Sequence, residues 1–188
     1  MTFSIRRALP TDARAIAEAH VQSWRETYPG IVPEDVIQGM SVDECAKMWG
    51  ARLLEVPGPS RFTFVADFAG RGVVGFASGG ALRKGQGADY EVPSTLSEIY
   101  DGELFAIYLI QEQQRTGIGR SLFRAVTQEL GRLGHRSMLV RVLKDNPTKG
   151  FYERMGGKMV GEKKVKIGKM LDELIYGWEK IDEIAAMT

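Results

Sequence analysis

Apolar and polar residues alternate from Phe3 to Ala8 with the period of a short strand, and Leu9-Pro10-Thr11-Asp12 then starts a helix for which Thr11 is the expected N-cap. Ala13, Ile16, Ala17, His20, Val21 and Trp24 follow at spacings that place them on one helical face, and Pro29-Gly30 ends that helix. Ser41-Val42-Asp43-Glu44 has the spacing of a capping box, after which Cys45, Met48, Trp49 and Leu53 form the buried stripe of a second helix that Pro57-Gly58-Pro59 closes. Arg61 to Phe68 and Val73 to Leu82 are expected to pair as a hairpin. Lys84 to Asp101 is polar and broken by Gly and Pro, a long loop of the kind that borders a functional site.

Glu103 to Ile110 is a dense apolar strand. Residues 114–120 lead from it into a helix whose stripe is Ile118, Leu122, Phe123, Val126, Leu130 and Leu133. A strand at Ser137 to Leu143 and a short helix at Pro147 to Met155 come next, then strands at Lys158 to Val165 and Leu171 to Trp178 around a turn near Gly168. No repeat interrupts this order, which predicts an α/β fold in which residues 1–188 form a single domain. Its core is a mixed, mostly antiparallel twisted sheet of about six to seven strands, with helices on both faces.

Composition narrows the chemistry. The 188 residues carry 25 Lys plus Arg against 24 Asp plus Glu, so no whole-molecule field draws the protein to nucleic acid or to an anionic membrane, and neither is expected as a partner. One cysteine, Cys45, excludes a disulfide framework and a multi-cysteine zinc site. With His20 and His135 the only histidines, no metal is expected. No apolar run reaches the roughly 20 residues of a membrane-spanning helix, and residues 1–10 lack a secretory pattern, so a cytoplasmic location is expected.

The turn Gln114-Arg115-Thr116-Gly117-Ile118-Gly119-Arg120 is the most informative feature. A strand that feeds a helix through small residues leaves the first helical N–H groups unpaired and converging on one spot, where the helix dipole favours an anion. Arg115 and Arg120 add charge, and the side chains missing at Gly117 and Gly119 let a pyrophosphate approach. No Gly-Lys-Ser/Thr follows and the spacing G-x-G-x-x-G is absent, so nucleotide hydrolysis and hydride transfer lack support.

Gln114-x-x-Gly117-x-Gly119 resembles the acyl-CoA pyrophosphate motif of the GNAT superfamily of N-acyltransferases. The run from Asn146 through Phe151-Tyr152-Glu153 to Gly156-Gly157 resembles that family's next motif, in order and at a suitable separation, and the likeness covers most of the chain. The resemblance implies acetyl-CoA as co-substrate, with Ile107, Tyr108 and Leu109 pairing with the pantetheine arm along an open strand edge, Gln114 through Arg120 holding the pyrophosphate, and Asn146 touching the cofactor. It also implies Tyr152 as the acid that protonates the departing thiolate, a task that suits a phenol with an ordinary pKa near 10; helix packing is the plainer reading of Phe151-Tyr152.

For the base that frees the attacking amine, the resemblance points to Glu103. Strand alternation sets it on one face with Phe105, Ile107 and Leu109, where apolar neighbours are expected to raise its pKa; solvation at the strand's first position is the alternative. Met138 to Leu143 carries no carboxylate, a departure from the ribosomal-protein-modifying branch. Trp24 and Tyr28 fall where the fold places the acceptor side of the cleft, although Trp24 also continues an apolar stripe, which favours core packing. His20 is expected to be buried and hydrogen-bonded to backbone, and Cys45 to be a small core residue.

The expected function is therefore transfer of an acetyl group from acetyl-CoA to a primary amine, of a small molecule or of a protein, by direct attack in a ternary complex. The alternatives are a non-catalytic acyl-CoA-binding sensor or interaction module, and a binder of nucleotide phosphates. Dimerisation is common among members of the family, so a homodimer is a further expectation.

Overall fold

The computed structural model describes residues 2–55, 61–83 and 92–185. The alternating start forms β1 (Phe3–Arg7), and the apolar stripe after it forms α1 (Ala13–Thr27), burying Ile16, Ala17, Ala19 and Val21. Thr11 is not the cap. A 3-10 turn, Pro10–Asp12, precedes α1, and the Asp12 carboxylate closes it by accepting the Leu9 N–H at 2.7 Å while the Arg6 guanidinium grips both of its oxygens. Two elements follow: α2 (Glu34–Gln38), too short to show a period in sequence, and α3 (Val42–Leu54), capped by Ser41 accepting the Glu44 N–H.

The hairpin is β2 (Phe62–Phe68) and β3 (Gly72–Ala81). Of the long polar segment, residues 84–91 lie outside the described residues, as does Pro57-Gly58-Pro59; the remainder is not all loop, because Ser94–Ile99 forms α4. Leu96 of α4 anchors a cluster with Leu82, Val92, Tyr100, Leu139 and Ile175. Then come β4 (Gly102–Leu109), α5 (Ile118–Arg132), β5 (Met138–Leu143), α6 (Gly150–Arg154), β6 (Lys158–Ile167), β7 (Lys169–Trp178) and α7 (Asp182–Ala185). The short helix α6 begins three residues later than the sequence suggests, because the Asn146 side chain holds the Thr148 N–H and hydroxyl at 2.8 and 2.7 Å in a preceding turn.

The seven strands form one sheet in the order β1-β2-β3-β4-β5-β7-β6, antiparallel except where β4 and β5 run parallel. Helix α5 lays its whole predicted stripe against one face, with Leu104, Val140, Val142, Leu174, Tyr176 and Trp178 beneath it. On the other face α1 and α3 cover Val65, Phe76, Ala106 and Tyr108, and Trp49 is enclosed there.

Two irregularities in β4 create the cleft. Ser78 pairs with Ala106 and Gly79 with Leu104, so Phe105 is an extra residue, a β-bulge. The bulge reverses the alternation: Leu104 and Ile107, three positions apart, both pack in the α5 core, and Ala106 and Tyr108 face α1. In addition, β4 pairs with β5 only through Gly102, Glu103 and Leu104, whereas β5 keeps its pairing with β7 as far as Leu143. Beyond Leu104 the two parallel strands diverge, and the edge of β4 from Phe105 to Leu109 is open to the gap.

Candidate active site

Two cavities meet at that gap. The first, about 390 Å3, opens on the α1 side of the sheet; its walls include Ser23, Trp24 and Tyr28 from α1 and its C-cap, and Tyr108, and its floor includes Glu103, Arg141 and Glu173. The second, about 440 Å3, lies between the end of β4, the start of α5 and α6. Ile107, Leu109, Gln114, Thr148 and Tyr152 line both. Tyr152 therefore stands at the junction, rooted in the α5-side core and reaching the α1-side cavity through the gap.

The second cavity is chemically suited to a diphosphate. Gly117, the N-cap of α5, has φ of 89°, and among the described residues no side chain caps the helix. The first α5 amide with a backbone acceptor is that of Ser121, onto the Gly117 carbonyl at 3.1 Å, so the N–H groups of residues 118–120 face the cavity end with the helix dipole behind them. Arg115, itself at φ of 62°, Arg120 and Arg154 line the same space. A side chain at position 117 would have to adopt the left-handed conformation, at a cost of about 1–2 kcal/mol. Gly117→Val is thus expected to weaken acetyl-CoA binding about tenfold in calorimetry, and an unchanged Kd would show that this turn does not hold the coenzyme.

Not every expected cofactor residue contributes a side chain. Ile107, Leu109, Gln114, Arg115, Gly117, Gly119 and Arg120 line the second cavity, but Tyr108 points to the opposite face, where it stacks on His20 with ring centroids 4.8 Å apart. Ile118 is enclosed in the core, and the Thr116 hydroxyl donates to the Gln113 carbonyl at 2.6 Å. Asn146 lines the first cavity rather than the second; its carbonyl oxygen is spent on Thr148, and its amide donates to the Tyr28 hydroxyl at 3.3 Å. Gln114 donates to the Leu109 carbonyl at 3.2 Å, fastening the turn to the strand end.

Trp24 and Tyr28 do line the first cavity, with rings 4.7 Å apart. His20 is half-buried, and its partners are side chains rather than backbone: the Trp49 indole N–H and the Cys45 sulfur, each at 3.4 Å. Burial, together with the charge of Arg52, pushes its pKa down to about 4, so it is neutral at pH 7.

Glu103 departs furthest from expectation. The bulge turns it away from Ile107 and Leu109, onto the face that carries Arg141. It is fully buried. One oxygen accepts the Arg83 backbone N–H at 3.2 Å and its Nε at 3.0 Å, and the other is held by the Arg83 and Arg141 guanidinium groups. Burial alone would raise its pKa, but the Arg83 hydrogen bond and the charges of Arg141 and Arg83 outweigh it and leave the carboxyl below its ordinary range. The Arg83 guanidinium in turn lies over the Phe105 ring, 4.4 Å from its centroid, so the bulge residue braces the ion cluster.

Arg83, Arg141 and Glu173 were not among the residues singled out by sequence. Only Arg141 left a local trace, as a lone charge inside the apolar strand 138–143. Glu173 is largely enclosed, by groups from β4, β5 and β6 and by Arg83 after β3, and burial, then the neighbouring Glu103, pushes its pKa up against the pull of Arg141 and Lys163.

A family model described as FR47-like protein matches residues 85–166. The uncharacterized N-acetyltransferase YuaI of Bacillus subtilis (strain 168) is 35% identical over 185 residues, covering 98% of this chain and 97% of that protein. The fold is shared with YncA from Salmonella typhimurium, solved with its cofactor acetyl-CoA, at a TM-score of 0.66 and 21% identity over 97% of this chain and 95% of that one. It is likewise shared with the PaiA N-acetyltransferase from Thermoplasma acidophilum, solved in complex with coenzyme A, at a TM-score of 0.62 and 20% identity over 92% of this chain and 98% of that one.

Proposed function

This chain belongs to the GNAT superfamily of acetyl-CoA-dependent N-acetyltransferases, and from that premise we propose that it moves the acetyl group to a primary amine by direct attack within a ternary complex. The observation that carries the reading is the meeting of the two cavities at Tyr152. The coenzyme occupies the α5-side cavity, its diphosphate on the amides of residues 118–120 and its pantetheine arm along the open edge of β4. The acceptor occupies the α1-side cavity, and the thioester lies in the gap between them.

Binding both reactants in one cleft turns a bimolecular encounter into a positioned attack. A strand amide near Leu109 polarises the thioester carbonyl as negative charge develops on its oxygen. When the carbon–sulfur bond breaks, Tyr152 gives its proton to the thiolate. Burial first, and the nearby Tyr108 second, raise the pKa of that phenol, so it is protonated throughout the neutral range.

The test is release of the coenzyme thiol from acetyl-CoA with a panel of amines: spermidine, L-lysine and tyramine, together with a lysine-containing peptide. The reading predicts release dependent on one or more of these. Tight acetyl-CoA binding with no amine-dependent release would instead make the protein a sensor of the acylated coenzyme.

A further inference from the structure

Acetyl transfer to an amine needs a group to take a proton from the incoming ammonium, and Glu103 is poorly placed for that task because both of its oxygens are bound by arginines. The α1-side cavity holds a second carboxylate. Along β7, Leu174 and Tyr176 sink into the α5 core, so Glu173 between its neighbours points the other way, to the side where Leu171 packs near Tyr28. It is paired in register with Leu143 on β5 and with Lys163 on β6, and its side chain is 15% exposed. Its Oε2 is buried and has no hydrogen-bond partner among the described residues; the Lys163 ammonium is 3.8 Å away.

We propose that Glu173 receives the acceptor's ammonium group and takes the proton that frees its nitrogen, a role that rests on the acetyl-transfer reading above. A buried carboxylate oxygen without a donor is costly, and an arriving ammonium supplies the missing hydrogen bond and a compensating charge. The groups that face Glu173 are Lys163 and, at the cavity rim, Lys166 from β6; Arg141 from β5; Glu103 and Tyr108 from β4; Arg83 after β3; and Tyr28 at the end of α1. Burial and Glu103 raise the pKa of Glu173 and strengthen it as a base, against the opposing pull of Arg141, Lys163 and Arg83.

The proton balance closes. Glu173 takes one proton from the ammonium; the amine nitrogen then forms its bond to the acetyl carbon, and the carbon–sulfur bond breaks. The thiolate takes the Tyr152 proton, the second nitrogen proton restores Tyr152, and Glu173 returns its proton to solvent. The products are the amide, the free coenzyme thiol and one proton.

The experiment compares wild type, Glu173→Gln and Glu173→Asp across pH 5 to 9, with thiol release from acetyl-CoA and the amine of the panel above that supports it. Wild-type kcat/KM should rise with pH as Glu173 ionises. Glu173→Gln should lose about a hundredfold and lose that acidic limb, with acetyl-CoA Kd and melting temperature retained. Glu173→Asp should recover part of the activity with the limb moved to lower pH, and it carries the test if the Gln variant does not fold.

A Gln variant of unchanged kcat/KM, or one uniformly weakened with its acidic limb intact, overturns the role of Glu173 while leaving acetyl transfer standing. The same holds for an Asp variant with an unmoved limb. No thiol release by wild type with any amine overturns the transferase reading, and the proposal with it.

Discussion

Replacing Tyr152 by phenylalanine is expected to lower turnover about tenfold to a thousandfold while leaving acetyl-CoA affinity within about twofold. The asymmetry follows from where the residue sits. The ring packs on Phe151 at 5.5 Å and on Tyr176 at 6.0 Å, contacts that phenylalanine reproduces, so α6 and the cavity walls stay in place. What is lost is the hydroxyl at the meeting point of the two cavities, which the proposed mechanism uses only once the thiolate begins to form. An interaction made late in the reaction lowers kcat and kcat/KM together and spares ground-state binding. Steady-state kinetics beside calorimetry checks this, and unaltered turnover would reduce Tyr152 to a packing residue.

The second large effect concerns stability rather than rate. Glu103→Gln removes the carboxylate from between two guanidinium groups, with the Arg141 side chain only 6% exposed, and breaking a buried ion pair from one side costs roughly 3–5 kcal/mol. For a chain of this length that corresponds to a fall in melting temperature of about 10 °C. Because the folded-state pKa of Glu103 is depressed, its stabilising contribution is fully present above the unfolded-state pKa and is lost as pH falls through the folded value. Wild-type melting temperature should therefore fall more steeply than that of Glu103→Gln as pH is lowered from 6 toward 3, and parallel curves would show that the cluster holds no such free energy. Below its melting temperature the variant is expected to keep turnover within about tenfold, in contrast to Glu173→Gln.

What the sequence discloses depends on how local the cause is. The stripe from Ile118 to Leu133 and the glycines before it are local: amphipathic period, missing cap and left-handed turn all lie within about twenty residues, and α5 forms as they indicate. The hairpin and the final strand pair are similarly local. The bulge at Phe105 is not, because an extra residue is defined only against a partner strand, and counting alternate positions through it sends Glu103 to the wrong face. Thr11 loses its capping role to Asp12 because Arg6, on the preceding strand, pairs with that carboxylate. Glu103, Arg141 and Glu173 are 32 to 70 residues apart along the chain and become neighbours only when β4, β5 and β7 lie side by side.

In the proposed reaction coenzyme A threads the gap between β4 and β5 so that its sulfur meets Tyr152. A crystal structure of the protein with coenzyme A tests it most directly. The diphosphate is expected on the amides of residues 118–120 and the sulfur about 3.5 Å from the Tyr152 hydroxyl, within reach for proton transfer. A coenzyme bound elsewhere, or with its sulfur on the far side of α6 from that hydroxyl, would contradict it.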